Sequence, residues 1–188
     1  IYIFFDNRED AGIIYFYTES ETIAMNPDSS YMFANHLALT HISGIANWDA
    51  SHVTDMRGLF SGARSLTDAL ALRNWDTSNV TNMCSMFSNA VSLMFVDVTN
   101  WNTSKVTTMA NMFQVVDSWK ANGQLIEIIG LGDLDVSNVT DMTCMFYGAG
   151  QMTSYDIARW DVSKVESMNH MFCDNFKLRS LNLSDWIS

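Results

Sequence analysis

Hydrophobic and polar residues along this chain follow one pattern, which recurs about every 26 residues with one longer spacing. Each copy begins with Trp or Leu, continues through Asp or Asn and Ser to Val and Met, and ends at Phe. The first position is occupied by Trp48, Trp75, Trp101, Leu134 and Trp160, and a truncated sixth copy begins at Trp186. The Met and Phe positions are Met56, Met83, Met109, Met142 and Met168, and Phe60, Phe87, Phe113, Phe146 and Phe172.

The spacing of apolar residues predicts two kinds of element in each repeat unit. From Val to Met to Phe the intervals are helical, which predicts a short helical or 3-10 segment with one buried side. The second half alternates, as in Leu178-x-x-Leu181-x-Leu183, and this predicts a strand with one buried face. A single unit cannot bury its apolar residues alone. The predicted fold is therefore a leucine-rich-repeat-like solenoid with one parallel strand and one short helical segment per unit.

Residues 1–30 do not match the repeat. They contain two apolar, β-branched and aromatic clusters at 1–5 and 13–17, separated by a polar turn, which predicts a hairpin or two adjacent strands. We expect residues 1–30 to form an N-terminal β cap and residues 31–188 to form about five full repeats. The third unit is elongated by an insertion at about 114–124, which should leave the stack as a loop. A start at Ile1 without Met is typical of a fragment or a processed product.

Composition narrows the class of protein. A net charge of −11 and a pI of about 4.5 argue against nucleic-acid binding, which needs basic side chains on one face. No apolar run approaches the ~18 residues of a membrane span, so no transmembrane segment is expected here. Most of the 13 Met occupy two columns of the repeat, so we expect them in the core rather than on a binding surface.

Candidate chemistry is sparse. None of the four His lies in a recognisable catalytic motif, so we predict a protein that is not an enzyme and needs no cofactor. The recurring Asp and Ser after the Trp position fit corners in which side chains bond backbone N–H groups. A Ca²⁺ ladder is the alternative, but Asn82, Thr108 and Ser167 interrupt the second carboxylate position. No metal site is predicted.

Candidate binding residues lie where the chain does not repeat or faces outward. The insertion contains Trp119, Lys120 and Asn122, and an aromatic side chain in a loop is a candidate contact for a partner. Side chains expected on the outer strand face are Asp97, Thr99, Asp156 and Asn182. That face is either a broad surface for protein or glycan or ordinary solvated surface. The Trp column is interpreted as core, with a ligand platform as the alternative.

The motif Trp-Asp-x-Ser-x-Val-Thr-x-Met-x-x-Met-Phe resembles the repeat of BspA-like leucine-rich-repeat surface proteins of bacteria, and residues 22–33 resemble their lead-in segment. The resemblance implies a lipoprotein or wall-associated protein, located at the cell surface or extracellular, that serves as an adhesin in protein binding. Leu134 in place of Trp, Asn102 in place of Asp and the elongated third unit depart from the pattern.

Two functions remain open from the sequence. The first is a non-enzymatic, surface-displayed binding or adhesion module that contacts protein or glycan on a host or neighbouring cell. The alternative is a structural subunit or segment of an extended surface assembly, such as a filament, sheath or layer, in which the partner is a further copy of the chain. This alternative is motivated by the unfinished sixth unit, because an uncapped end of the predicted stack would expose apolar surface that more of the chain or another subunit must cover.

Overall fold

The computed structural model describes residues 2–5, 13–17, 22–116 and 123–186. The strands are β1 (Tyr2–Phe5), β2 (Ile13–Tyr17), β3 (Ile23–Ala24), β4 (His41–Ile42), β5 (Trp48–Asp49), β6 (Asp68–Ala69), β7 (Phe95–Asp97) and β8 (Glu127–Ile129). Short 3-10 segments occupy Ile45–Asn47, Leu70–Asn74 and Leu131–Asp133.

The strands form three small sheets. β1 pairs antiparallel with β2, and this is the hairpin expected from the two N-terminal apolar clusters. β2 then pairs parallel with β4, which connects the hairpin to residues 31–47, the segment before Trp48 that we call the first repeated segment. The other two sheets are parallel: a two-stranded sheet of β3 and β5, and a three-stranded sheet in the order β6-β7-β8.

The leucine-rich-repeat-like solenoid predicted from the sequence is wrong. The described residues contain no α-helix, and they form only these short strands rather than one strand in every unit. The Val-to-Met-to-Phe half of each unit folds as consecutive turns, whereas the 3-10 segments lie in the other half, directly before Trp48, Trp75 and Leu134. The spacing of apolar residues in the Val-to-Met-to-Phe half therefore reflects which side chains are buried, and it does not indicate a helix.

Left-handed backbone explains why the helix does not form. Two positions in most units have positive φ, four residues apart, and a right-handed helix cannot continue through such residues. In the first unit both are glycines, Gly58 at φ 60° and Gly62 at φ 71°. Elsewhere the same positions are occupied mainly by residues other than glycine, namely Ser85, Asn89, Asn111, Cys144, His170 and Asp174, with Gly148 as the exception.

Consecutive units are joined along these turns by a series of parallel bridges, which we name the turn ladder. The bridges connect Asp28, Asp55, Asn82, Thr108, Asp141 and Ser167 in that order. Within the ladder, backbone N–H groups alternate between two kinds of acceptor. Phe87 donates to the carbonyl of Met112 in the next unit at 2.9 Å, and the following residue, Ser88, donates to Ser85 within its own turn at 3.0 Å. Tight turns can thus be buried because their polar groups are satisfied both locally and along the ladder.

Aromatic rings stack along the inside of the ladder. The rings of Phe60, Phe87 and Phe113 lie parallel, with centroids 5.4 and 5.5 Å apart, and Phe146 continues the row at 5.9 Å. Methionines pack beside them, and Met56, Met83, Met109 and Met142 are fully buried, while Met168 is half-buried. The Met-rich composition is therefore placed in the core.

The Trp column is buried except at Trp186, which is half-buried, and four of its indole groups form hydrogen bonds to the preceding unit. Trp75 donates its indole N–H to the carbonyl of Ile45 at 2.9 Å, and Trp101 donates to Leu72 at 2.9 Å. The indole of Trp160 bonds the Leu131 carbonyl at 3.2 Å and that of Trp186 bonds Ile157 at 2.8 Å. Leu134 is buried without such a donor. A buried indole needs a partner for its N–H, and the preceding unit supplies it.

Candidate binding surfaces

The Asp residues at the corners act as acceptors for the backbone. Asp76 accepts the backbone N–H of Ser78 at 2.9 Å, and Asp49 accepts that of Ser51 at 2.9 Å. Hydrogen bonds from the Ser78 hydroxyl and backbone N–H lower the pKa of Asp76. Ser163 does the same for the pKa of Asp161. The described residues contain no group of three His, Cys, Asp or Glu that could hold a metal ion.

These corners predict a pH dependence of stability. Because the folded pKa of Asp76 lies below its unfolded value of 3.8, its contribution is complete well above pH 3.8 and is lost as pH falls through the folded pKa. We expect Asp76→Asn to lower the free energy of unfolding at pH 7, and the gap from the parent chain to narrow below about pH 4. Urea unfolding at about pH 7, 5 and 3 measures this difference in the free energy of unfolding.

The matched control is Asn102→Ala, because Asn102 occupies the same corner one unit later and accepts the Ser104 N–H at 3.1 Å without titrating. Its effect should not change between the pH values. A gap for Asp76→Asn that widens on acidification would contradict this role of the carboxylate.

A column of threonines lines the outside of the turn ladder. The hydroxyls of Thr81, Thr107 and Thr140 each donate to the carbonyl of the preceding threonine in the column, at 3.1–3.2 Å. Beside them Lys105 donates to the side-chain oxygen of Asn79 at 2.7 Å, and Lys164 donates to Asn138 at 2.6 Å. These polar side chains therefore reinforce contacts between units, in addition to forming surface.

The residues predicted for the outer strand face are divided by the structure. Asp97 is buried rather than outward-facing: its carboxylate accepts the Thr99 hydroxyl at 2.6 Å and lies 3.6 Å from the guanidinium of Arg73. Thr99, Asp156 and Asn182 are exposed. β7 therefore ends at a buried carboxylate, and the predicted row of exposed side chains on the outer strand face is interrupted at Asp97.

The insertion is the predicted binding segment, but Trp119, Lys120 and Asn122 lie outside the described residues. The structure describes its two stems. On the first, Val115 donates to the Tyr147 carbonyl at 2.8 Å and Val116 donates to the Asn89 side chain at 2.8 Å. On the second, Gly123 donates to the Gly148 carbonyl at 3.0 Å. Both stems are therefore fixed to the units on either side.

One further feature of the surface was not predicted from the sequence. A cavity of about 100 Å³ lies between the first repeated segment and the first unit, at β4 and β6. The signal that could have located it is the small side chain of Ala69, where the neighbouring strands carry Val96 and Ile128 in register.

A comparison with family models gives a match over residues 27–128 and again over 119–188. The family is described as Mycoplasma protein of unknown function, DUF285. The chain belongs to this family. The two matched segments meet at the insertion, so the family pattern occurs on both sides of it. No curated protein and no solved structure was found to match the chain.

This membership corrects the resemblance inferred from the motif. The matching family is DUF285 and not the BspA-like leucine-rich-repeat proteins. The resemblance therefore no longer supports describing the chain as a leucine-rich repeat, BspA-like, a solenoid, a lipoprotein or an adhesin. Among the described residues, no helix is long and apolar enough to cross a membrane.

Proposed function

We propose that this chain is a non-enzymatic binding module, displayed at a cell surface, in which a stack of turns supports a partner-contacting insertion. The partner is a protein or glycan on a host or neighbouring cell, and contact is made by Trp119, Lys120 and Asn122. The surface or extracellular location stays a prediction.

The observation that supports this proposal is the way in which the insertion is added. Its stems are bonded to both neighbouring units, yet Phe113 still stacks between Phe87 and Phe146 at 5.5 and 5.9 Å. The additional residues therefore cost the core little. Binding residues are commonly carried on loops held by a rigid scaffold, and Trp is among the residues that contribute most to binding at interfaces.

A binding comparison tests the proposal. The chain and its Trp119→Ala/Lys120→Ala variant are applied to a glycan array and to a panel of purified extracellular-matrix proteins. We expect binding to at least one probe, weakened about tenfold or more in the variant, because a few residues, Trp prominent among them, carry most of the binding energy of an interface. Unfolding curves of the two proteins should coincide.

Phe176→Ala is the matched control, since Phe176 is an aromatic side chain outside the insertion that is 71% exposed. Its binding should equal that of the parent chain. Binding to no probe, or binding that the double substitution leaves unchanged, would contradict the proposal.

The extended surface assembly stays the alternative, in which the partner is a further copy of the chain. Sedimentation of the sample used for binding separates the two, because strictly monomeric protein argues against assembly between copies.

A further inference from the structure

The cavity at β4 and β6 marks a discontinuity in the row of parallel strands. β6 pairs with β7 and β7 with β8, but β4 and β6 do not pair. Next to β4 and β6, the Thr67 N–H donates to the Thr40 carbonyl at 3.5 Å, whereas the equivalent bond from the Met94 N–H to the Thr67 carbonyl is 2.9 Å long. The two segments therefore separate on the strand side, although Asn35 still bonds Ser61 at 2.7 Å on the turn side.

The lining of this opening is apolar. Its walls include Ile42, Ile45, Phe60, Leu66, Ala69 and Leu72. The volume follows from Ala69, because Val96 is its partner in β7 and Ile128 is the next residue in that row. A side chain of that size at position 69 would project into the opening. A cavity without polar partners inside does not hold ordered water well and favours an apolar occupant.

Two ionisable side chains, His41 and Asp68, border the mouth, and both residues are exposed. The Asp68 carboxylate accepts only a long 3.5 Å bond from the Leu70 N–H, and it forms no ion pair within the described ranges. A carboxylate at the mouth of an apolar cavity, on a chain with net charge −11, favours a cationic group next to the apolar one.

We propose that this cavity binds a small aliphatic amine, with a branched alkyl group inside and the ammonium group on Asp68. The volume of about 100 Å³ is smaller than the ~150 Å³ of a dry engineered cavity that binds benzene, so it suits about four or five carbons. The ligand is either a free amine or the N-terminal leucine of a peptide, since both present this chemistry. The site is separate from the insertion, so it does not depend on the function proposed above.

Methyl-resolved NMR titration tests the site with 3-methylbutylamine, 3-methylbutanol and leucinamide as probes. We expect saturable shifts at the methyl groups of Ile42, Leu66 and Leu72, with dissociation constants on the order of millimolar for so small a ligand. The amine should bind several-fold more tightly than the alcohol. A stronger response to leucinamide than to the free amine assigns the peptide terminus as the source, and the reverse assigns a free amine.

Substitutions separate the two parts of the site. Ala69→Ile should fill the cavity and weaken amine binding at least tenfold, and Ala69→Val is the smaller alternative if the isoleucine variant does not fold. Asp68→Asn should remove the preference for amine over alcohol. Glu127→Gln is its matched control, because Glu127 occupies the same row on β8 and does not line the cavity.

Three results would overturn the proposal: no saturable shifts with any probe, shifts outside the cavity lining, or undiminished binding in a folded Ala69 variant. Increased stability of Ala69→Ile together with no binding in the parent chain would show that the opening is a packing defect. The methyl map of the parent chain decides the question even if neither variant folds.

Discussion

Phe87→Ala is expected to destabilise the protein by about 3–5 kcal/mol, the usual cost of removing a fully buried aromatic side chain. Phe87 is 1% exposed and stacks against Phe60 and Phe113 at 5.4 and 5.5 Å. The substitution therefore leaves a cavity in the middle of the aromatic row and removes ring contacts on both sides. Urea unfolding monitored by circular dichroism measures the loss.

The control for this prediction is again Phe176→Ala, because Phe176 is an exposed phenylalanine outside the row. Exposed substitutions usually change stability by less than about 0.5 kcal/mol. If Phe87→Ala cost no more than the control, the stacked row would not be a stabilising core.

Gly148→Ala is the second substitution with a large expected effect. Gly148 has φ 70°, and an added Cβ would lie 2.3 Å from the backbone carbonyl oxygen of Val115, at the stem of the insertion. Because that neighbour is backbone, the turn and the stem must move apart. We expect a loss of about 1–2 kcal/mol for the left-handed conformation and about 1–3 kcal/mol more for the overlap.

Gly44→Ala isolates the second contribution. Gly44 has φ 76°, but nothing lies within 4 Å of an added Cβ. This variant should therefore show only the conformational cost, measured by the same urea unfolding. Equal losses for the two variants would mean that the stem does not approach Gly148 as closely as the structure places it.

The sequence was sufficient to locate the repeat and the residues of the core. Period and chemistry coincide at positions such as Met83 and Phe87, because a buried position in a stacked array accepts only apolar side chains of similar size. The N-terminal hairpin was also readable, since two β-branched and aromatic clusters flank a polar turn.

The backbone conformation of the turns could not be predicted from the sequence in the same way. Left-handed turns are usually signalled by glycine, and Gly58 and Gly62 give that signal in the first unit. Ser85 and Cys144 adopt the same conformation later in the chain, where tertiary hydrogen bonds along the turn ladder override their preference. The intervals between the apolar residues, from Val to Met to Phe, matched a helical period, so the pattern predicted a helix where the chain forms turns.

Site residues were the least predictable. Alternation along β7 placed Asp97 outside as an exposed residue, but its carboxylate is covered and bonded by Thr99 and Arg73, which no periodicity encodes. The cavity was missed because it depends on one small residue, Ala69, within an otherwise regular apolar column. A feature that arises from a single exception to the repeat can be recognised only from the structure.

Backbone hydrogen bonds join each turn to the same turn of the next unit, in register. The most direct measurement is an NMR experiment that detects scalar couplings across hydrogen bonds, from an amide nitrogen to its acceptor carbonyl carbon. We expect couplings from Phe60 to Met86, Phe87 to Met112, Phe113 to Met145 and Phe146 to Met171, whose bonds are 2.8–3.0 Å long. Couplings that connect these amides only to carbonyls within their own turns would contradict it.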